Sequence, residues 1–357
     1  MPILSATDAI TPAFRHAWQQ MFKPIRFAFW WRIAVLGLFT GEFAGGGGFS
    51  PPSFPAQSGG THRSNPFPAQ LGWFTPTHII EIAALGAVVV IVLTLIFVYI
   101  NSILRFVLFD AVLHANPRIG EGWRKWRQQG RQFFTWQLLL ALAGWMLVFV
   151  CLLLPLFFLF TSHHIGFWFM DAIAVATLVL GFLVMVGLGL ALNIAAVLAK
   201  DFIVPMMALE GITWQEGWRR FRIISAGHAG EYVIYLLMKF VLRIAAGILH
   251  TIAMLIPIFI LMIPAVILII AGVAIGAGST AVVKALLITV GIIGGVILFL
   301  VFLALSALAG APIAYFFPAY SIYFFAGRYE PLGRIVFPPP PIPPPMMPEP
   351  NPPLAPA

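Results

Sequence analysis

The chain is 357 residues long, 61% hydrophobic and only 9% charged, with a mean hydropathy of +0.98. Soluble domains carry about 25% charged residues, so this chain cannot coat a water-facing surface, and a water-soluble globular protein is excluded. Its formal charge of +8 lies in short segments between apolar runs, which points to an anionic membrane surface rather than to nucleic acid, and a lone cysteine, Cys151, rules out an intrachain disulfide or a thiolate cluster.

Residues 8–24 set Phe14, Trp18, Met21 and Phe22 at helical spacing among Arg15, His16, Gln19, Gln20 and Lys23. That is the pattern of an amphipathic helix lying in the headgroup layer, and residues 1–25 form this interfacial unit. The next apolar stretch, 26–41, is short for a span. With Trp30, Trp31 and Arg32 as interface anchors it either crosses thinly or only re-enters, and it is expected to remain uncleaved. Residues 42–77, with the run Gly45 to Gly48 and repeated prolines, form an external loop. The glycine run lacks the preceding strand and the following Gly-Lys-Ser/Thr that a phosphate loop needs.

Apolar runs of hydrocarbon length follow. They cover 78–100 (continuing towards 109), 133–160 and 172–199, then two stretches of 45 residues at 231–275 and 281–325. Pro257 and Pro264 interrupt the first of these, and Pro312 and Pro318 the second. We read one span from each, 246–274 and 282–308, with interfacial helices at 231–245 and 313–326; two spans within 231–275 is the alternative. With six spans and a cytoplasmic N-terminus, fifteen Lys and Arg fall in cytoplasmic segments and only Arg63 outside, as the positive-inside rule demands. The fold class is therefore all-α, a polytopic transmembrane helical bundle of about six spans over 26–337, with both termini cytoplasmic. The tail 338–357 is extended, disordered polyproline chain.

A motif occurs twice. Glu121-Gly122-Trp123-Arg124-Lys125-Trp126-Arg127 returns 95 residues later as Glu216-Gly217-Trp218-Arg219-Arg220-Phe221-Arg222, and Arg105 and Lys200 share that offset. Both copies lie between apolar spans, so the unit reads as span, basic helix, span, used twice; Phe316-Phe317-Pro318 faintly echoes Ile203-Val204-Pro205 as a third. Thr213, three before Glu216, has capping-box spacing. Asn116 and Pro117 supply a cap and a first-turn proline in the first copy. Helices 117–131 and 213–226 would then lie on the membrane with aromatics in the acyl boundary and guanidiniums among the headgroups. Their candidate lipid- or partner-binding residues are Trp123, Arg124, Lys125, Trp126, Arg127 and Arg131 in the first, and Trp218, Arg219, Arg220, Phe221 and Arg222 in the second. Glu121 and Glu216 read as caps or local ion pairs.

The run from Lys200 to Phe240, the glycine-rich loop and the Glu-Gly-Trp-Arg repeat resemble an uncharacterised prokaryotic family of multi-spanning membrane proteins. More distantly they are similar to the membrane domain fused to some glycerophosphodiester phosphodiesterases. The resemblance implies a prokaryotic cytoplasmic-membrane protein and no phosphodiesterase activity, because the catalytic barrel of those enzymes has no counterpart here.

No catalytic constellation stands out. His163, His164 and Asp171 read as a polar loop, and His62, His78 and Glu81 make a weaker version of the same metal idea. Within spans, Asn101 and Asn193 could hydrogen-bond between helices, while Lys239, Arg243 and Lys284 are expected to snorkel to an interface. We expect a non-enzymatic scaffold or accessory protein without cofactor or metal, binding anionic headgroups or a protein partner at the cytoplasmic face. The alternative is a small-solute transporter or channel, suggested by the repeat and the proline-broken helices.

Overall fold

The computed structural model describes residues 3–42, 76–165, 168–276 and 278–338. Among these residues, eleven α-helices account for nearly all of the described chain, and no strand occurs. They are α1 (Ile10–Phe22), α2 (Phe27–Thr40), α3 (Pro76–His114), α4 (Ile119–Val148), α5 (Leu154–Ile165), α6 (Trp168–Leu198), α7 (Val204–Glu210), α8 (Trp214–Ala226), α9 (Ala229–Gly276), α10 (Ala281–Ala326) and α11 (Glu330–Val336). Single π-turns, Phe149–Leu153 and Ala199–Ile203, join α4 to α5 and α6 to α7 without breaking the rods.

Among the described residues, five stretches are long and apolar enough to cross a bilayer: Glu81–His114, Ile119–Phe157, Val175–Glu210, Ala229–Gly276 and Ala281–Ala326. At 1.5 Å per residue, the 39 residues of α3 reach about 58 Å, twice the ~30 Å hydrocarbon core. The surplus explains a division along each rod. One end is packed into a common core: Ile103 to Val112 of α3, Phe202 to Met207, Tyr232 and Tyr235 of α9, and Ala311 to Ala326 of α10. The other end is bare, with Val88 to Phe97, Leu138 to Phe157, Val179 to Leu190, Ile244 to Ile275 and Val282 to Phe302 presenting mostly exposed aliphatic and aromatic side chains. Apolar surface on this scale is tolerated only where lipid covers it.

In the packed zone α2 lies between α3 and α10, and α1 lies on α10; the bare rods pair as α3 with α4, α5 with α6, and α9 with α10. Ala9, Ala13 and Ala17 form the buried stripe that lets α1 settle, while Phe14 and Trp18 face outwards. The prolines of α9 and α10 sit inside continuous helices. The segments expected as separate interfacial helices, 231–245 and 313–326, are instead continuous with the two rods; 313–326 is largely buried, whereas 231–245 buries Tyr232, Tyr235 and Lys239 and leaves Val233, Ile234, Leu237, Phe240 and Val241 exposed.

The sixth expected span, 26–41, is not among these five and is a shorter apolar helix. α2 has 14 residues, about 21 Å, and ends at Gly41 in the left-handed conformation, φ 71°. Its two ends read off against α3: Arg32 donates to the Pro117 carbonyl at 3.4 Å, and Asn101 and Arg105 donate to the carbonyls of Phe39 and Thr40 at 2.5 and 3.3 Å. The helix thus runs antiparallel to the packed half of α3 and stays within that zone. Alternation of sides puts Glu42 opposite Lys200; in the structure the two are ion-paired at 2.6 Å. Nearly all of the expected loop 42–77 and of the tail 338–357 lies outside the described residues.

Candidate functional site

The repeated basic helices come first. Each follows a helix that ends in a left-handed residue, Ala115 at φ 53° after α3 and Gly211 at φ 69° after α7. α8 starts with the expected cap, the Thr213 hydroxyl accepting from the Glu216 amide at 3.4 Å. α4 starts one residue later in its connection, at Ile119, with Arg118 as an N-cap that makes no side-chain bond; Asn116 and Pro117 precede it. The motif glycines have a steric role. A Cβ on Gly122 would lie 3.0 Å from Val107, and one on Gly217 2.8 Å from Ile203, so each glycine seats its helix on the preceding one.

The aromatic face is therefore spent on the protein. Trp126 stacks on Phe106 with centroids 5.9 Å apart, and Phe221 on Phe202 at 5.3 Å. Trp123 meets Tyr99 edge-on, and Trp218 packs on Trp136 of α4. Trp126 and Phe221 are buried and unavailable to lipid, which corrects their assignment as membrane-facing anchors. The charges are divided. Lys125 binds Asp110 at 3.1 Å, Arg219 binds Glu216 at 2.7 Å, and Arg220 bridges Glu216 and Glu210. Glu121 pairs back to Arg118 at 3.1 Å. Among the described residues, Arg124, Arg127, Arg131 and Arg222 make no ion pair, and all four are exposed. The two arginine hydrogen bonds on Glu216 hold its carboxyl below the usual carboxylate range.

Beneath these helices lies a cluster that the sequence did not announce. Glu42 is 3% exposed and bridges Lys200 at 2.6 Å and Arg243 at 2.7 Å. Asp201, equally buried, accepts from Lys239 and from the Tyr235 hydroxyl at 3.0 Å. Arg105 donates to the Asn101 side-chain carbonyl at 2.9 Å and to the Thr40 backbone, and Gln137 and Ser102 extend that network. Arg243 also lies over the Phe317 ring, 4.6 Å from its centroid. Burial alone would push the Glu42 carboxyl up, yet Lys200, Arg243, Lys239 and Arg105 hold it well below the usual carboxylate range.

Local structure explains the convergence. Pro205 cannot donate to the Asp201 carbonyl, and the helix accommodates this with the π-turn Ala199–Ile203. The wider turn directs two successive residues, Lys200 and Asp201, into one cavity; such π-bulges recur at functional sites. Pro318 of α10 faces Pro205 across that cavity, which Glu42, Arg105, Leu108, Phe109 and Ser321 also line. Lys239 and Arg243, expected to snorkel, turn inward because Asp201 and Glu42 wait for them. Of the other candidates, Asn193 and Lys284 are exposed, and the side chains of His62, His78, His163, His164 and Asp171 lie outside the described set. Among the described residues no three His, Cys, Asp or Glu groups could share a metal ion.

A second polar feature ties α1 to α10. His16 meets the Tyr323 hydroxyl through Nδ1 at 3.2 Å and the Tyr315 hydroxyl through Nε2 at 3.1 Å. Tyr315 donates to the Val112 carbonyl, so Nε2 carries the proton and Nδ1 accepts from Tyr323. Burial pushes the pKa of His16 down.

Over residues 4–335 the sequence matches a family of unknown function (DUF7544), and the chain belongs to that family. No curated protein matches it, and no solved structure does; the distant likeness to the phosphodiesterase membrane domain gains no support from these comparisons.

Proposed function

Starting from membership in that family, we propose that this is a non-enzymatic membrane scaffold or accessory protein of the prokaryotic cytoplasmic membrane, whose basic helices hold anionic lipid headgroups at the cytoplasmic face. The observation that carries this reading is the set Arg124, Arg127, Arg131 and Arg222: exposed, without an ion pair among the described residues, and gathered at the end of the bundle where the bare apolar lengths stop. Each such cation near an anionic surface contributes about 1 kcal/mol. The binding groups are the guanidiniums; the motif aromatics serve to fix the two helices on the core. The N-terminus belongs to the same end, since Tyr320 and Arg328 of the C-terminal region donate to the carbonyls of Ala6 and Leu4.

An acidic cytoplasmic protein would meet the same guanidiniums. Transport is the weaker alternative. Its coupling groups would belong at mid-span, where the described apolar lengths hold few ionisable side chains beyond His250, close to Ser306 at 3.3 Å, and the terminal Lys284. Lipid co-purification tests the proposal. Wild-type protein should retain phosphatidylglycerol over phosphatidylcholine, and Arg124→Glu, Arg127→Glu, Arg131→Glu and Arg222→Glu combined should lose that preference. An unchanged ratio in the folded variant sinks the reading.

A further inference from the structure

The ionic cluster is unbalanced. Among the described residues it sets two carboxylates, Glu42 and Asp201, beside four basic side chains, Arg105, Lys200, Lys239 and Arg243. Glu42 serves Lys200 and Arg243, and Asp201 serves Lys239. Arg105 has only neutral oxygens, those of Asn101 and Thr40, and no ion pair among the described residues. A basic group shielded from water without a counter-charge either gives up its proton or takes an anion, and a guanidinium does not give up its proton, so Arg105 calls for an anion beside it.

The space for it adjoins the surplus. The cavity lined by Arg105, Lys200 and Ser321 offers about 30 Å³ to the centres of water-sized spheres, two to three times the ~10–15 Å³ that one water needs by this measure. It lies where the bare length of α6 gives way to the π-turn Ala199–Ile203 and the core. A phosphate monoester carries about −1.5 to −2 charges near neutral pH, and a guanidinium fork matches its oxygens. We infer that this cavity binds a single phosphate group, either the monoester headgroup of a lipid or free phosphate, with Arg105 as the principal ligand and Lys200 as the second. The Ser321 hydroxyl, which now donates to the Pro318 carbonyl at 2.9 Å, turns to donate to the bound oxyanion. This site uses none of the surface arginines of the preceding section, so the two readings stand or fall separately.

The test uses the full chain in a nonionic detergent. Thermal unfolding and titration calorimetry compare sodium phosphate with sodium chloride at equal ionic strength, and micelles doped with phosphatidic acid with micelles doped with phosphatidylcholine. Wild type should be stabilised by phosphate over chloride, or by phosphatidic acid over phosphatidylcholine; the first result identifies free phosphate as sufficient, the second a lipid source. Arg105→Gln, which strands no carboxylate, should weaken that binding at least tenfold, with partial recovery in Arg105→Lys. The fourfold surface-arginine reversal should leave it intact. Absence of stabilisation by either phosphate source, equal effects of chloride, or wild-type affinity in Arg105→Gln would overturn the inference. Should Arg105→Gln fail to fold, Ser321→Ala decides: affinity about threefold weaker supports the site, and unchanged affinity overturns it.

Discussion

Glu42→Gln is the perturbation that bears most directly on how the packed zone is held together. The side chain is 3% exposed, and its two partners, Lys200 and Arg243, are 8% and 10% exposed. Glutamine keeps the shape and removes the charge, so two cations lose their counter-ion while remaining shielded from water. Removing one partner of a buried pair costs about 3–5 kcal/mol, and here the remaining cluster would hold one carboxylate against four cations. An exposed pair provides the control. Arg118 and Glu121 are 59% and 61% exposed, and such pairs contribute about 0–1 kcal/mol, so Glu121→Gln should be nearly silent. Thermal or denaturant unfolding in detergent reads both. Adding Arg243→Met to Glu42→Gln should restore part of the loss, because it removes one stranded charge and leaves an apolar chain beside Phe317. Were Glu42→Gln as stable as Glu121→Gln, the cluster would be hydrated and the argument from burial would fail.

Other expectations follow from particular contacts. A Cβ on Gly181 would lie 2.2 Å from the Cys151 carbonyl oxygen, whereas Gly187 and Gly189 have nothing within 4 Å; Gly181→Ala should lower the unfolding midpoint sharply, and Gly187→Ala should not. Gly217→Ala, whose Cβ would lie 2.8 Å from the Cγ2 methyl of buried Ile203, should cost about 1–3 kcal/mol. Thr213→Ala removes the α8 cap and should cost about 1 kcal/mol, visible as faster amide exchange over residues 214–218. For His16 the folded pKa is depressed, so the neutral form is the one the fold accommodates. No penalty applies above the unfolded value of about 6.5; it grows as pH falls below that and levels off beneath the folded pKa. Protease cleavage within α1 should therefore rise on acidification from pH 7.5 to 5.5, and His16→Gln should flatten that dependence.

The spans were legible because composition and run length carry them: nothing but lipid accommodates the residues from Val88 to Phe97 or from Ile244 to Ile275. The capping of α8 by Thr213 was legible from spacing alone. The amphipathic faces were legible as faces, but their partner was not. Trp126 and Phe221 could meet acyl chains or a preceding helix equally well by pattern, and Gly122 and Gly217 decide it, since each lies within contact distance of the helix before it. The ionic cluster was hidden for a different reason. Its members come from residue 42, residue 105, residues 200–201 and residues 239–243, each at the end of an apolar run where a lone charge reads as an interfacial anchor. Only the third dimension brings Glu42, placed on the far side by the alternation of spans, to Lys200 and Arg243. The available signals were the Lys200-Asp201 doublet four residues before Pro205 and the i, i+4 pair Lys239 and Arg243 facing one way.

Sidedness is measured most directly with single cysteines in a Cys151→Ser background, labelled by a membrane-impermeant thiol reagent in vesicles of both orientations. Arg124→Cys, Arg222→Cys and Arg26→Cys should react from one and the same side, and Lys284→Cys, at the opposite end of α10, only from the other. Labelling of Arg26→Cys or Arg124→Cys from the Lys284 side would contradict a bundle whose five apolar rods rise from a single packed, cation-rich base.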